Sequence, residues 1–210
     1  ASRSFESAAN LFHKGQSLKS AFRRFKIDLL ERGADDVPYL VGGAGPGGYG
    51  DVISPPTDAP LQAGDVLMLD TGAVKNGYFC DFDRNYGIGH ASDPVRQAHR
   101  KLVEAVHAAA AIARPGKTCA DLFNAMTDVL GQADGDVGRM GHGLGIQLTE
   151  TPSLTAFDET VLQERMVLTL EPGLDLGDGK MMVHEENIVI RDGAPEFLLT
   201  PADPEIPGIQ

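Results

Sequence analysis

Three carboxylates occupy two short apolar stretches in which charged side chains are uncommon. Asp70 follows "VLML", and Asp81 and Asp83 lie in "FCDFDR" shortly afterwards. Carboxylates are depleted in β-strands, and burying a charge without a partner is costly. We therefore expect these acids to have a specific partner, and the chemistry that pairs most directly with clustered carboxylates is cation binding.

An internal repeat places a second set of acids in the same context. The stretch "AGDVLMLDTG" matches "ERMVLTLEPG" without a gap, so that Asp70 pairs with Glu171 at an offset of 101 residues. The helical regions that precede the two stretches match at the same offset. The repeat predicts two similar α+β halves, about residues 1–90 and 91–200.

Each half contributes a further acid, because Asp81 follows Asp70 by 11 residues and Glu185 follows Glu171 by 14. If the halves pack about a pseudo-twofold axis, the four carboxylates converge. Without cations, their repulsion would force protonation or unfolding. We interpret them as ligands of two divalent metal ions. For the pair Asp70 and Asp81 alone, the alternative is a charged hairpin edge that opposes aggregation.

A histidine completes the candidate ligand set. His142 lies between glycines in "RMGHGLGIQLTE", so the backbone can approach closely and the imidazole can project into a cavity. A simple loop position is the structural alternative. Oxygen-rich coordination with one histidine suits Mn²⁺, Fe²⁺, Co²⁺ or Zn²⁺, and the residue types alone do not choose among them.

Taken together, these segments resemble the catalytic domain of the pita-bread metallopeptidases, the family of methionine aminopeptidase, Xaa-Pro aminopeptidase and prolidase. The motifs "LDTGAVKNGYFCDFDR", "GHGLG", "LTLEPG" and "VHEENIVI" occur in the family's order, and the resemblance covers nearly all of the chain. It implies an α+β, creatinase/aminopeptidase-like fold in which two pairs of helices cover a curved antiparallel sheet. Residues 1–210 would form this catalytic domain, and we expect an N-terminal domain upstream of it.

The resemblance also implies a role for each ligand. Two metal ions, with manganese as the first expectation, would be held by Asp70, Asp81, His142, Glu171 and Glu185, of which Asp81 and Glu185 would bridge. Glu186 is the neighbouring candidate for the last position, but the family alignment favours Glu185. In the family the metals activate a water that attacks the scissile carbonyl, and a glutamate passes a proton to the leaving amine. Glu171 and Glu185 are therefore expected to be catalytic as well.

Two histidines that usually bind substrate in this family are absent from their expected positions. Ile53 stands 17 residues before Asp70, and Thr149 stands seven residues after His142. Asp83 occupies a position that is commonly threonine. We expect Asp83 and Thr149, or groups on the loops, to take part in catalysis in place of the missing histidines, and Arg84 to take part by pairing with a carboxylate of the site.

The predicted function is therefore hydrolysis of an amide bond by a metal-dependent enzyme of the Xaa-Pro dipeptidase or aminopeptidase type. One alternative is an enzyme of the same fold that acts on a small non-peptide or zwitterionic substrate, as an amide hydrolase or a lyase. A third alternative, from another class, is a binding protein without turnover.

Composition and charge oppose some classes of binding partner and favour one cellular compartment. The net charge of −12 opposes nucleic-acid binding, and no apolar run approaches the ~20 residues of a membrane span. The two cysteines lack CxxC spacing, which favours a reducing, cytoplasmic compartment. The resemblance implies a homodimer.

The pattern of apolar residues and capping signals predicts helices over about 17–32, 94–113 and 119–130, and strands over about 67–72 and 77–87.

Overall fold

The computed structural model describes residues 1–132 and 138–210. The first half contains two helices, a 3₁₀ turn and four strands, in the order α1 Ser2–Ser7, the turn Ala8–Asn10, α2 Leu18–Glu31, β1 Asp36–Pro46, β2 Asp65–Lys75, β3 Tyr78–Phe79 and β4 Phe82–Ile88. The rest of the chain contains α3 Asp93–Ile112, α4 Cys119–Leu130, β5 His142–Gly143, β6 Glu150–Ser153, β7 Val167–Leu170, β8 Gly173–Gly177, β9 Lys180–Val183, β10 Glu186–Val189, β11 Glu196–Phe197 and β12 Gly208–Ile209.

The helix predictions are confirmed to within one residue at each end, because the capping signals are strong. Ser17 precedes α2, and its side chain accepts a hydrogen bond from the backbone N–H of Ser20. Thr118 and Asp121 form a capping box at the start of α4, and Gly131 ends that helix in the left-handed conformation. None of the helices in the described residues is both long and apolar enough to cross a membrane.

The strands form two antiparallel sheets and a separate hairpin. The first sheet has the order β1-β2-β4-β12, with β3 also paired to β2, and among the described strands only the β12–β4 pair is parallel. The second sheet has the order β11-β10-β7-β5-β6, and β8 pairs with β9. The predicted strand over 77–87 is interrupted: Cys80 and Asp81 separate β3 from β4.

Alternate residues of β2 contribute to two different hydrophobic cores. Leu67 and Leu69 belong to the core beneath α1 and α2, whereas Val66 and Met68 belong to the core beneath α3 and α4. Because side chains alternate along a strand, Asp70 lies on the Val66 and Met68 side, facing the second half of the chain. This strand therefore contributes to both cores, and Asp70 lies on its side toward α3 and α4.

Candidate metal centre

The five predicted ligands lie in or beside one cavity: Asp70, Glu171 and Glu185 line it, and Asp81 and His142 lie close to these acids. The cavity has a volume of about 820 Å³ and is lined in part by Asp70, Asp83, Glu171 and Glu185. Asp81, His142 and Glu185 each offer a ligand atom within 4.8 Å of the others. His142 Nε2 lies 3.4 Å from Asp81 Oδ2 and 3.8 Å from Glu171 Oε2. The structure therefore brings together all of the predicted ligands from both halves.

The orientation of His142 leaves one ring nitrogen directed at the acids. Its backbone N–H donates to Thr169 Oγ1 at 2.9 Å, and its Nδ1 lies 2.9 Å from the carbonyl oxygen of Gly143. In the neutral ring, Nδ1 then carries the hydrogen, and Nε2 presents its lone pair to Asp81 and Glu171. A backbone carbonyl on the second nitrogen is the usual arrangement of a metal-binding histidine.

Buried oxygen atoms without a protein partner provide a test of whether a cation fits. Within residues 1–132 and 138–210, Asp70 Oδ1, Asp81 Oδ1 and Glu185 Oε1 are buried and accept no hydrogen bond. Such orphaned oxygens are uncommon in native proteins. These three oxygens belong to carboxylates from both halves of the chain, and divalent cations would supply the partners that they lack. The donor set therefore fits a metal centre.

Burial and mutual repulsion raise the pKa values of these carboxyl groups. Burial is the larger cause for Asp70 and Glu185, and the neighbouring acids add to it, so both pKa values lie well above the usual range. Burial also raises the pKa of Asp81, although His142 opposes it, and raises that of Glu171 to about 7. Without cations, the clustered carboxyl groups therefore bind protons more readily than exposed ones do, as expected for acids that lack a neutralising positive charge.

The charge on His142 depends on the same neighbours. Burial lowers the pKa of its imidazole, but Asp81 and Glu171 together outweigh burial and raise it. In the absence of a cation, this histidine therefore binds a proton more readily than a free imidazole does.

Glu185, rather than Glu186, faces the cavity. Glu186 is directed away from it, with Oε2 accepting from Arg84 Nη2 at 2.9 Å and Oε1 accepting from the Ala202 backbone N–H at 2.8 Å. Burial raises the pKa of Glu186, but His184 and Arg84 outweigh burial and hold it below its usual value. This carboxylate is already neutralised and is not available to a metal.

The remaining predicted catalytic residues differ in whether they line the cavity. Asp83 is 2% exposed and lines the cavity directly across the strand pair from Asp70. The guanidinium of Arg84 pairs with Glu186 and not with any of the five predicted ligands. Thr149 is exposed and lies outside the residues that line the cavity, and its catalytic role stays a prediction. Ile53 is 71% exposed.

Several residues at the site were not identified from the sequence. The Tyr39 hydroxyl donates to Asp70 Oδ2 at 3.1 Å from the neighbouring strand, and Arg139 Nε lies 3.4 Å from Glu171 Oε1. Lys180 is a second basic residue in the cavity wall. Arg139 stands three residues before His142, so its proximity to the motif was the one available signal; Tyr39 and Lys180 had none.

Close backbone packing explains the glycines around His142. Gly141 has φ of +153°, and a Cβ atom there would lie 2.3 Å from the Thr169 carbonyl oxygen and 2.5 Å from Leu154 Cδ1. We expect Gly141→Ala to lower the free energy of unfolding by about 2–4 kcal/mol, measured by urea denaturation. Gly138→Ala is the matched control, because a Cβ there meets no atom of the described residues within 4 Å, and it should change stability by less than about 0.5 kcal/mol. Equal stability of the two variants would contradict the packing argument.

Comparison with known proteins yields a family, relatives and solved structures. The profile of Metallopeptidase family M24 matches residues 1–192. An Xaa-Pro dipeptidase of Pyrococcus furiosus is 30% identical over 148 residues, which are 69% of this chain and 42% of that protein. A probable dipeptidase PepE of Mycobacterium bovis is 34% identical over 172 residues, covering 79% and 45%. The chain thus spans less than half the length of these curated relatives.

Solved structures match over almost the entire chain. Dipeptidase PepE from Mycobacterium ulcerans superposes with a TM-score of 0.90 at 28% identity, covering 99% of this chain and 57% of that one. X-Pro aminopeptidase from Thermotoga maritima gives a TM-score of 0.90 at 26% identity, covering 99% and 59%. The predicted pita-bread fold is confirmed by these superpositions.

Proposed function

We propose that this chain, which belongs to metallopeptidase family M24, is the catalytic part of a metal-dependent peptidase that cleaves small peptides, with Xaa-Pro dipeptides as the first candidates. The observation that carries the proposal is the convergence of Asp81, His142 and Glu185 on one point, together with three buried carboxylate oxygens that accept no hydrogen bond in the described part of the chain. Retaining such a cluster is costly unless cations occupy it.

We assign the metal-binding role to Asp70, Asp81, His142, Glu171 and Glu185. Bound there, two divalent ions would lower the pKa of a water molecule and polarise the scissile carbonyl. Manganese is our first candidate, and the mixed oxygen and imidazole donors are compatible with it. Tyr39 would orient Asp70, because its hydroxyl already donates to one oxygen of that carboxylate.

The groups around the ligands would bind the substrate and move protons. Glu171 and Glu185 line the cavity, where either carboxylate can take a proton from the attacking water and deliver it to the leaving amine. Arg139 and Lys180 are the two basic residues in the described part of the cavity wall. When cations neutralise Glu171, Arg139 becomes available to the terminal carboxylate of a short peptide.

A second candidate function follows from the composition of the cavity wall. Among the described residues that line it, none is a histidine, and the positions of the expected substrate-binding imidazoles hold Ile53 and Thr149. Loss of one transition-state donor typically lowers turnover about 10²–10³-fold. Hydrolysis or elimination of a small non-peptide substrate is therefore the alternative chemistry at the same centre.

Two further proposals concern the cellular location and the oligomeric state of the protein. Cys80 and Cys119 are both free thiols, which fits the reducing compartment predicted from the sequence. We propose a cytoplasmic homodimer, since the resemblance implies one, and light scattering of the purified protein would measure its mass. A monomeric mass would contradict the assembly and leave the metal centre unaffected.

The test of function is metal content together with turnover of Xaa-Pro dipeptides after reconstitution with Mn²⁺. We expect about two ions per chain, measured by elemental analysis, and cleavage of the dipeptide that is abolished by chelation. Two ions without cleavage of any Xaa-Pro dipeptide would shift the assignment to the non-peptide alternative. A chain that binds no divalent ion would contradict the metal centre itself and favour a binding protein.

A further inference from the structure

The two acids expected to bridge the metals lie outside the strand ladders. Asp81 falls between β3, which ends at Phe79, and β4, which begins at Phe82. Glu185 falls between β9, which ends at Val183, and β10. The backbone N–H and C=O groups of these two residues must therefore find partners other than a neighbouring strand, because unpaired buried backbone groups are costly.

Side chains of β4 supply those partners for Glu185. The backbone N–H of Glu185 donates to Asp83 Oδ1 at 3.1 Å, and Arg84 Nη1 donates to the Glu185 carbonyl oxygen at 2.8 Å. Both polar groups of this peptide segment are thus bound by two consecutive residues of the first half.

A side chain of β10 supplies the reciprocal partners for Asp81. The backbone N–H of Asp81 donates to Asn187 Oδ1 at 3.0 Å, and Asn187 Nδ2 donates to the Asp81 carbonyl oxygen. Asn187 is fully buried, so this amide has no competing contact with solvent. Each bridging acid is therefore bound through its backbone by the opposite half of the chain.

The residues that make these contacts are themselves held in place. The Arg84 guanidinium also donates to Glu186 Oε2 at 2.9 Å and to the Thr200 carbonyl oxygen at 3.3 Å. Asp83 lies 3.7 Å from His184 Nδ1, and the Nε2 atom of that histidine lies 3.4 Å from Glu186 Oε1. These contacts restrict the side chains of Asp83 and Arg84 in the buried interior.

We propose that Asp83, Arg84 and Asn187 are positioning residues that set the affinity of the metal centre by fixing the backbones of Glu185 and Asp81. This inference rests on the proposed metal centre, and we call the four contacts the cross-half hydrogen bonds. They would hold the carboxylates of Asp81 and Glu185, one from each half, at a fixed separation. A carboxylate whose backbone is free to shift would bind the ions less tightly, as is general when groups that orient a ligand are removed.

The test compares metal affinity among variants of the 210-residue chain that differ at these contacts. Asp83→Ala and Asn187→Ala remove the acceptors of the Glu185 and Asp81 N–H groups, whereas Asp83→Asn keeps an oxygen at the same place. We expect Mn²⁺ affinity, measured by calorimetry, to fall about 10–100-fold in the two alanine variants. Asp83→Asn should restore affinity to within about threefold, because its amide oxygen accepts the same hydrogen bond.

Electron paramagnetic resonance of the Mn²⁺-loaded chain gives a readout that a merely structural role would not change. We expect the spin-coupled signature of two nearby ions in wild type and Asp83→Asn, and its loss in Asp83→Ala at equal metal concentration. Asp175→Ala is the matched control, since Asp175 is an exposed aspartate of the same cavity that does not contact either bridging acid. It should leave both readouts unchanged.

The outcomes separate this inference from the proposed function. If wild type binds two ions and folded Asp83→Ala and Asn187→Ala bind them with equal affinity, the positioning role is wrong and the metal centre stands. If wild type binds none, the proposed function fails and this inference fails with it. Should the alanine variants not fold, Arg84→Lys decides, because it retains the charge opposite Glu186 but cannot make all of the guanidinium contacts; unchanged affinity there would overturn the proposal.

Discussion

Asp81→Asn should eliminate the two-metal centre and lower turnover by at least about a hundredfold. Asp81 is 5% exposed, lies 3.4 Å from His142 Nε2 and has one buried oxygen without a hydrogen-bond partner in the described chain. An amide is nearly the same size but offers one neutral oxygen in place of a charged pair. Because even groups that only orient a metal ligand contribute 10–100-fold, loss of the ligand itself should exceed about 10².

The same substitution should stabilise the chain when metal is removed. Burial raises the pKa of Asp81, so keeping this carboxylate ionised in the folded state is costly at neutral pH. We expect the melting temperature of metal-free Asp81→Asn to exceed that of the metal-free wild type, and the order to reverse with saturating Mn²⁺. Asp175→Asn is the control and should shift neither temperature. Two ions bound to Asp81→Asn with wild-type affinity would contradict the assignment of Asp81.

Removal of metal should make stability strongly dependent on pH, with stability lost as pH rises. Burial raises the pKa of Glu171 from 4.5 to about 7, and Asp70, Asp81 and Glu185 shift in the same direction. A group whose folded pKa is raised binds more protons in the folded state, so its stabilising effect is complete below the unfolded pKa and disappears above the folded one. For Glu171 alone this amounts to on the order of 3 kcal/mol.

The expected window lies between about pH 4.5 and pH 7, bounded by the unfolded and folded values for Glu171. The raised pKa of His142 adds a loss of the same sign, whereas burial lowers the pKa of His99 to about 4 and opposes it. Urea denaturation of the chelated chain across this range measures the slope. Metal-loaded protein is the control and should lack the decline, since ions replace the protons. A metal-free chain that gains stability from pH 5 to pH 7 would contradict the clustering of these acids.

The position of the site was predictable because it depends on two regularities of the sequence, the internal repeat and the alternation of side chains along a strand. The offset between Asp70 and Glu171 reflects the repeat of the two halves, and the alternation along β2 determines which side of the strand carries the acid. Spacing within each half then identifies Asp81 and Glu185. The three longer helices, α2, α3 and α4, were predictable to within one residue, and local capping signals mark two of them, at Ser17 and Thr118.

What could not be predicted depends on contacts between distant residues. Asn187 binds the Asp81 backbone across a separation of 106 residues, and Asp83 binds that of Glu185 across 102. No local pattern marks such pairs, so the interruption of the strand at Asp81 was missed as well. The catalytic role of Thr149 stays a prediction, because it rests on a spacing of seven residues after His142, and spacing along a loop does not determine whether a side chain faces a cavity or solvent.

The packing of β2 into both hydrophobic cores has a consequence for how the chain unfolds. Its odd-numbered leucines pack with one half and its even-numbered Val66 and Met68 with the other. Removing either half would expose one entire face of this strand to water, an unfavourable change of roughly 25 cal/mol for each Å² of apolar surface. We therefore expect that neither half folds by itself and that the chain melts in a single cooperative transition.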